Sequence, residues 1–283
     1  MNIGIVGLGL IGGSLGLDLR AQGHRVLGVS RREQTCKAAI ERGVVDDASI
    51  KPKLLAEADV VFICTPIAAI ASTVNLLIPH LSATAIVTDV GSVKAPIVEA
   101  VSHLLPNFVG GHPMAGNSES GLEAAQTDLF RGKPYVLTPI ETTPPEALNT
   151  VEEIVRSLQA QVYHCHPADH DRAVGWISHL PVIVSASLVA ACLSENDYAV
   201  LELARKLASS GFRDTTRVGG GNPELGMMMA RYNRGEVLRS LHQYRQNLDR
   251  FIFQIEQGDW EALEQQLQRT QQGRPQFLSA KDS

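Results

Sequence analysis

Three stretches of this chain hold residue types that could do chemistry, and each follows a short apolar run. At the start, Gly7-Leu8-Gly9-Leu10-Ile11-Gly12 fits G-x-G-x-x-G. The pattern alone is weak, but here it follows a run of Ile and Val and opens a helical pattern, the context it requires. Gly7 allows the tight turn, Gly9 lets backbone approach a pyrophosphate, and Gly12 lets the helix pack on the strand. Leu10 and Ile11 would then begin a helix whose free N–H groups and dipole favour a bound phosphate. NAD enzymes place Asp or Glu about twenty residues on, to bind the ribose 2′-hydroxyl. This chain has Ser30, Arg31 and Arg32 there, a hydroxyl and two guanidiniums suited to a 2′-phosphate, so the cofactor reads as NADP. Cys64, Thr65 and Pro66 close another apolar run and would border the same cofactor, Cys64 as a small core residue rather than a nucleophile.

The second stretch is Asp89-Val90-Gly91-Ser92-Val93-Lys94, in which Ser92 is either a helix N-cap or a hydroxyl offered to a ligand. The third is Gly110-Gly111-His112-Pro113-Met114-Ala115-Gly116, whose glycines give His112 little cover. A neutral His at that point can take the proton of a substrate hydroxyl, as alcohol oxidation by hydride transfer needs. His164 and His166 share a strand face, but without a third ligand in view no metal site is read.

Positioning these residues calls for a sheet with helices on both faces. Strands are predicted at 2–6, 25–30, 59–64, 85–88, 108–111, 135–137 and 162–164, with helices between them, which gives a parallel α/β sheet. Strand patterns fade beyond Pro167 and helical ones take over. The expected plan is therefore an N-terminal Rossmann-type domain, 1–166, and an all-helical C-terminal domain, 167–283. Val237, Leu241, Tyr244, Leu248, Phe251 and Ile255 form one apolar stripe, expected to bury against its own domain before a dimer partner. The stretch 176–193 contains His179 and Pro181 and reads as a poor membrane span. A net charge of −5 gives no support for a nucleic-acid or polybasic membrane surface, and 5% aromatics argues against stacking on single-stranded bases. Four cysteines without a CxxC pair, and a start lacking a leader pattern, read as a soluble cytoplasmic protein with reduced thiols.

GIVGLGLIGGSL at the start, DVGSVK at 89–94, GGHPMAGNSESG at 110–121, SHLP at 178–181 and GFRDTTR at 211–217 together resemble the prephenate/arogenate dehydrogenase family. The resemblance runs from residue 1 to about 255 and implies oxidative decarboxylation of a cyclohexadienol in tyrosine biosynthesis. It also implies a homodimer through the C-terminal helices. By it, His112 would be the catalytic histidine at the ring 4-hydroxyl and Ser92 the serine that contacts that hydroxyl. Arg217 would grip the ring carboxylate, and His179 would be a substrate-pocket histidine, unless it is a buried structural one. Members acting on prephenate often continue SHLP with a further His, where this chain has Val182. With Arg31 and Arg32, that departure favours arogenate and NADP, giving tyrosine. The alternatives are a prephenate dehydrogenase giving 4-hydroxyphenylpyruvate, and a non-catalytic NADP-binding regulator on the same scaffold. A β-hydroxyacid dehydrogenase would carry a catalytic Lys in 167–193, which holds none.

Overall fold

The computed structural model describes residues 1–117 and 119–278; Ser118, within the GGHPMAGNSESG stretch, and residues 279–283 lie outside the described set. Eight strands form one sheet: β1 (Asn2–Val6), β2 (Arg25–Val29), β3 (Asp47–Ser49), β4 (Val60–Ile63), β5 (Ile86–Asp89), β6 (Phe108–Pro113), β7 (Pro134–Thr138) and β8 (Gln161–His164). Their order is β3-β2-β1-β4-β5-β6-β7-β8. All pairs are parallel except β6 with β7, so the expected parallel sheet carries one antiparallel junction. Between strands run α1 (Leu10–Ala21), α2 (Glu33–Glu41), α3 (Ile70–Leu77), α4 (Ala95–Ser102) and α5 (Pro145–Ser157).

Strand β4, at the centre of the sheet, is apolar and buried throughout because helices cover both faces. Ile3, Ile5, Val60 and Phe62 pack with Leu15 and Leu19 of α1 on one face. Val61, Ile63 and Val87 pack with Ile70, Val74 and Val98 on the other. The order of strands reverses at β1, which has β2 on one side and β4 on the other. Ligands lie outside the carboxyl ends of strands at such a reversal, and those ends are where Gly7 and Thr65 follow.

Helices continue as α6 (Pro167–Val174), a π-turn at Gly175–His179, α7 (Leu180–Leu193), α8 (Tyr198–Leu207), α9 (Ser210–Thr216), α10 (Pro223–Tyr232), α11 (Arg234–Gln257) and α12 (Trp260–Gly273). By compactness the chain divides into Met1–Arg234 and Gly235–Ser283. The expected boundary near 166 falls between β8 and α6. The helical run Pro167–Leu193 passes a test of length and composition for a membrane span, which is weak evidence because core helices of soluble proteins pass it too. One expectation needs correcting: the late stripe does not bury along its length, since Val237 is buried, whereas Tyr244, Leu248 and Ile255 are exposed in the single chain.

Candidate active site

At the nucleotide loop, Gly7 has φ +100°, and a Cβ there would lie 2.5 Å from the Cys64 carbonyl oxygen. The β1 and β4 ends therefore approach more closely than any side chain allows. A Cβ on Gly12 would sit 2.1 Å from the Gly7 carbonyl oxygen, while Gly9 faces open space. The first turn of α1, from Leu10, carries no side-chain cap on its N–H groups. Bare backbone, open space and an uncapped helix start fit a dinucleotide pyrophosphate. Ser30 follows β2, and its Oγ accepts from the Arg32 N–H at 3.5 Å. Arg31 and Arg32 are exposed, and among the described residues neither has an ion-pair partner. Across the loop, the Thr65 hydroxyl is buried without a partner, and burial pushes the Cys64 thiol up, away from the reactive thiolate.

Beyond β5 the chain builds a buried electrostatic clamp. Lys94 and Asp89 are fully buried and paired through Nζ and Oδ2. Lys94 Nζ also donates to the Gly111 carbonyl at 2.7 Å. Asp89 accepts from the backbone N–H of Gly91 at 2.8 Å and of Gly111 at 3.1 Å. The end of β5 is thereby tied to the residue just before His112. Burial lowers the Lys94 pKa, and Asp89 opposes that shift. Helix α4 begins at Ala95, so Ser92 is not its N-cap, and the Ser92 Oγ is buried with no partner. A buried hydroxyl without a partner is costly, which suits a group kept for a ligand.

His112 lies within β6 rather than after it, and is buried rather than uncovered. Its Nδ1 stands 2.8 Å from Nε2 of His170 on α6, the two rings meeting edge to face. His170 Nδ1 in turn lies 2.8 Å from Asp171 Oδ1. The Asp171 carboxylate also accepts the Lys94 N–H at 2.6 Å and the Ala95 N–H at 2.8 Å, at the start of α4. Asn233, after α10, donates through Nδ2 to the Asp171 carbonyl at 2.7 Å and reaches His179 Nδ1 at 3.0 Å. His179 Nε2 is buried without a partner. One buried chain thus joins His112 to His179. Burial, helped by His170, Lys94 and His179, holds His112 well below the usual imidazole range. Burial pulls His179 down to about 4, against the opposing charge of Asp171. Both rings are neutral near pH 7.

Arg217 stands outside this chain, exposed, at the head of the turn Arg217–Gly220. That turn is held on α7 through Gly219, whose N–H donates to Ser185 Oγ at 2.8 Å. A Cβ on Gly219 would come within 2.4 Å of the Ala186 nitrogen, so this glycine serves helix packing rather than the approach of a ligand. Val182, one turn on from His179, faces Gly226 of α10: a Cβ there would meet Val182 Cγ1 at 3.7 Å. His164 pairs with Glu152 at 2.9 Å, and His166 caps α6 by accepting from the Ala168 N–H. Among the described residues no cluster of three metal-ligating side chains occurs. Sequence reasoning missed His170, Asp171 and Asn233, whose bonds to His112 and to one another span 58 and 62 residues.

The chain is similar to known proteins along most of its length. The chain matches the family model "Prephenate dehydrogenase, nucleotide-binding domain" over residues 15–164 and "Prephenate dehydrogenase, dimerization domain" over residues 166–269. The chain belongs to the prephenate/arogenate dehydrogenase family. Among its relatives, prephenate dehydrogenase of Bacillus subtilis is 34% identical over 92% of this chain and 71% of its own length. The crystal structure of Synechocystis arogenate dehydrogenase is 54% identical with a TM-score of 0.89, covering 98% of this chain and 100% of that one. That of Aquifex aeolicus prephenate dehydrogenase, in complex with hydroxyphenyl propionate and NAD+, is 28% identical with a TM-score of 0.92, covering 98% of each chain. Like these prephenate/arogenate dehydrogenases, the chain is an oxidoreductase of tyrosine biosynthesis, with a nucleotide-binding domain followed by a helical one.

Proposed function

We propose that this dehydrogenase oxidatively decarboxylates arogenate to tyrosine with NADP as hydride acceptor. The observation that carries the chemistry is a buried, uncharged His112 alongside a buried, unpartnered Ser92 hydroxyl. The choice of arogenate is supported by 54% identity to the Synechocystis arogenate dehydrogenase and by apolar Val182 facing Gly226. The choice of NADP is supported by Ser30 and the two exposed guanidiniums of Arg31 and Arg32 at the β2 end.

Gly7, Gly9, Leu10, Ile11 and Gly12 would cradle the pyrophosphate, Ser30, Arg31 and Arg32 the 2′-phosphate, and Cys64, Thr65 and Pro66 the adjoining edge. When bound, the nicotinamide supplies the acceptor for the hydride from ring C4. His112 draws the proton from the C4 hydroxyl, and Ser92 hydrogen-bonds the same oxygen. As C4 gains carbonyl character, the C1–carboxylate electron pair flows into the ring, CO2 leaves and the ring becomes aromatic. Arg217 orients the departing carboxylate; a tighter ionic grip would hold back decarboxylation, so its role is placement. His179 lines the same pocket. We assign the working unit as a homodimer through the C-terminal helices, on the matched dimerization domain, and place it in the cytoplasm, which four free cysteines suit.

A second reading, prephenate with NAD, is favoured by the Bacillus relative's name and the NAD+ in the Aquifex complex. Steady-state reduction of NADP and of NAD, each with arogenate and with prephenate, separates the two. Turnover confined to arogenate with NADP supports the proposal. Preference for prephenate, or for NAD, overturns the corresponding half.

A further inference from the structure

His112 and His179 have nitrogens free for a ligand, and the groups behind them decide which of those nitrogens carry protons. Asp171 accepts two backbone N–H groups, from Lys94 on Oδ1 and from Ala95 on Oδ2, so both of its carboxylate oxygens serve as acceptors. His170 must then present an Nδ1 proton to Asp171 Oδ1 at 2.8 Å. With its Nδ1 protonated, a neutral His170 has only a lone pair on Nε2. The Nδ1 of His112, 2.8 Å away, must donate to it. The remaining nitrogen of His112, Nε2, is left as a lone pair.

The other branch runs the opposite way. Asn233 Nδ2 donates to the Asp171 carbonyl at 2.7 Å, which fixes that atom as the amide nitrogen. The same NH2 group lies 3.0 Å from His179 Nδ1, which must accept, so the His179 proton sits on Nε2. That Nε2 is buried and unpartnered, and a buried donor without an acceptor is costly. An incoming carboxylate or hydroxyl would relieve it.

We propose that His170, Asp171 and Asn233 are positioning residues that hold His112 and His179 in opposite tautomers, His112 as the proton acceptor and His179 as a hydrogen-bond donor. The catalytic part of this inference rests on the dehydrogenase reaction proposed above; the tautomers themselves do not. Holding the base ring in the productive tautomer matters because a base without its lone pair on the reacting side is no base. The groups facing His112 are His170 from α6, Lys94 from the loop before α4 and His179 from the π-turn. A proton added to His170 would turn its Nε2 into a donor and reverse His112.

The test is nitrogen NMR of the whole protein labelled with ¹⁵N-histidine, near pH 7, with the three rings assigned from single Gln variants. His112 and His170 are expected protonated at Nδ1 and His179 at Nε2. Alongside it, steady-state turnover compares the parent with His170→Phe and His170→Gln. Phe removes the acceptor for His112 and should lower kcat by at least about tenfold with a much smaller change in KM. Gln keeps an acceptor oxygen and an NH2 donor and should recover part of the loss. A His112 ring protonated at Nε2 in the parent overturns the proposal, as does an unchanged kcat in folded His170→Phe. Should that variant fail to fold, the parent spectrum still decides. Failure of the parent to turn over either cyclohexadienol would sink the dehydrogenase reading while leaving the tautomer pattern to be read.

Discussion

The buried polar side chains at this site either pair through every polar atom or leave one atom without a partner, and the two classes predict different losses. His112 belongs to the second. On the proposed mechanism, in which the ring meets the substrate hydroxyl and not the pyrophosphate, His112→Ala should lower kcat by about 10²–10⁴-fold while leaving nicotinamide-cofactor affinity unchanged in a fluorescence titration. Loss of cofactor binding together with activity would instead make His112 a structural residue. Lys94 belongs to the first class. Its Nζ joins Asp89 to the Gly111 carbonyl with no solvent exposure. Lys94→Met leaves the Asp89 carboxylate buried against backbone N–H groups alone, and breaking a buried pair from one side costs about 3–5 kcal/mol. Urea unfolding should show that loss, and a change below about 1 kcal/mol would mean that water reaches Asp89 once the ammonium is gone. At this scale the sequence was readable where chemistry clusters locally. Ser92 and His112 sit in short glycine-rich stretches beside strand ends. His170 and Asn233 were not readable, since they join partners 58 and 62 residues away, His112 and Asp171, and no local pattern encodes such a pairing.

Among the elements, the strands were legible because burial on both faces leaves a plain run of Ile, Val and Phe. β3, Asp47–Ser49, was missed for the opposite reason: it is short and polar, and only its pairing with β2 makes it a strand. The antiparallel β7 was also hidden, because periodicity carries no sense of chain direction. His112 was placed one residue beyond its strand because glycines usually end strands, whereas Gly110 and Gly111 continue β6 where side chains would collide. A Cβ on Gly110 would meet Thr138 Oγ1 at 2.4 Å, and one on Gly111 the Asp89 carbonyl oxygen at 2.7 Å. The same close packing sets the turn that carries Arg217. Gly219→Ala would drive a methyl to 2.4 Å from the Ala186 nitrogen and lift that turn from α7. If Arg217 positions the ring carboxylate as proposed, the expected outcome is a rise in KM for the ring substrate of tenfold or more, because small displacements of positioning groups cost large factors, with nicotinamide-cofactor affinity intact. An unchanged KM would show that the arginine does not depend on this packing.

For the molecule as a whole, the single chain leaves Tyr198, Val200, Leu203 and Leu207 of α8 exposed, with Leu188 and Leu193 of α7. A patch of that kind marks an interaction surface, and it falls within the matched dimerization domain. Leu203→Glu with Leu207→Glu should shift the protein from dimer to monomer in sedimentation velocity; an unchanged dimer would place the interface elsewhere. Acid should act on the interior instead. His179 has its pKa pulled down to about 4, against about 6.5 in an unfolded chain. Between those values the unfolded chain binds a proton that the folded chain refuses, so stability falls as pH is lowered through that window. Above it, His179 adds no pH dependence. Each such histidine contributes a slope of about 1.4 kcal/mol per pH unit, and His112, lowered in the same direction, adds to it. Urea unfolding at pH 7.5, 6.5, 5.5 and 4.5 should therefore show a parent slope steeper than that of His179→Gln by about one histidine's worth across the lower three points. Parallel slopes would mean that His179 takes up its proton while still folded, with water or a carboxylate reaching Nε2.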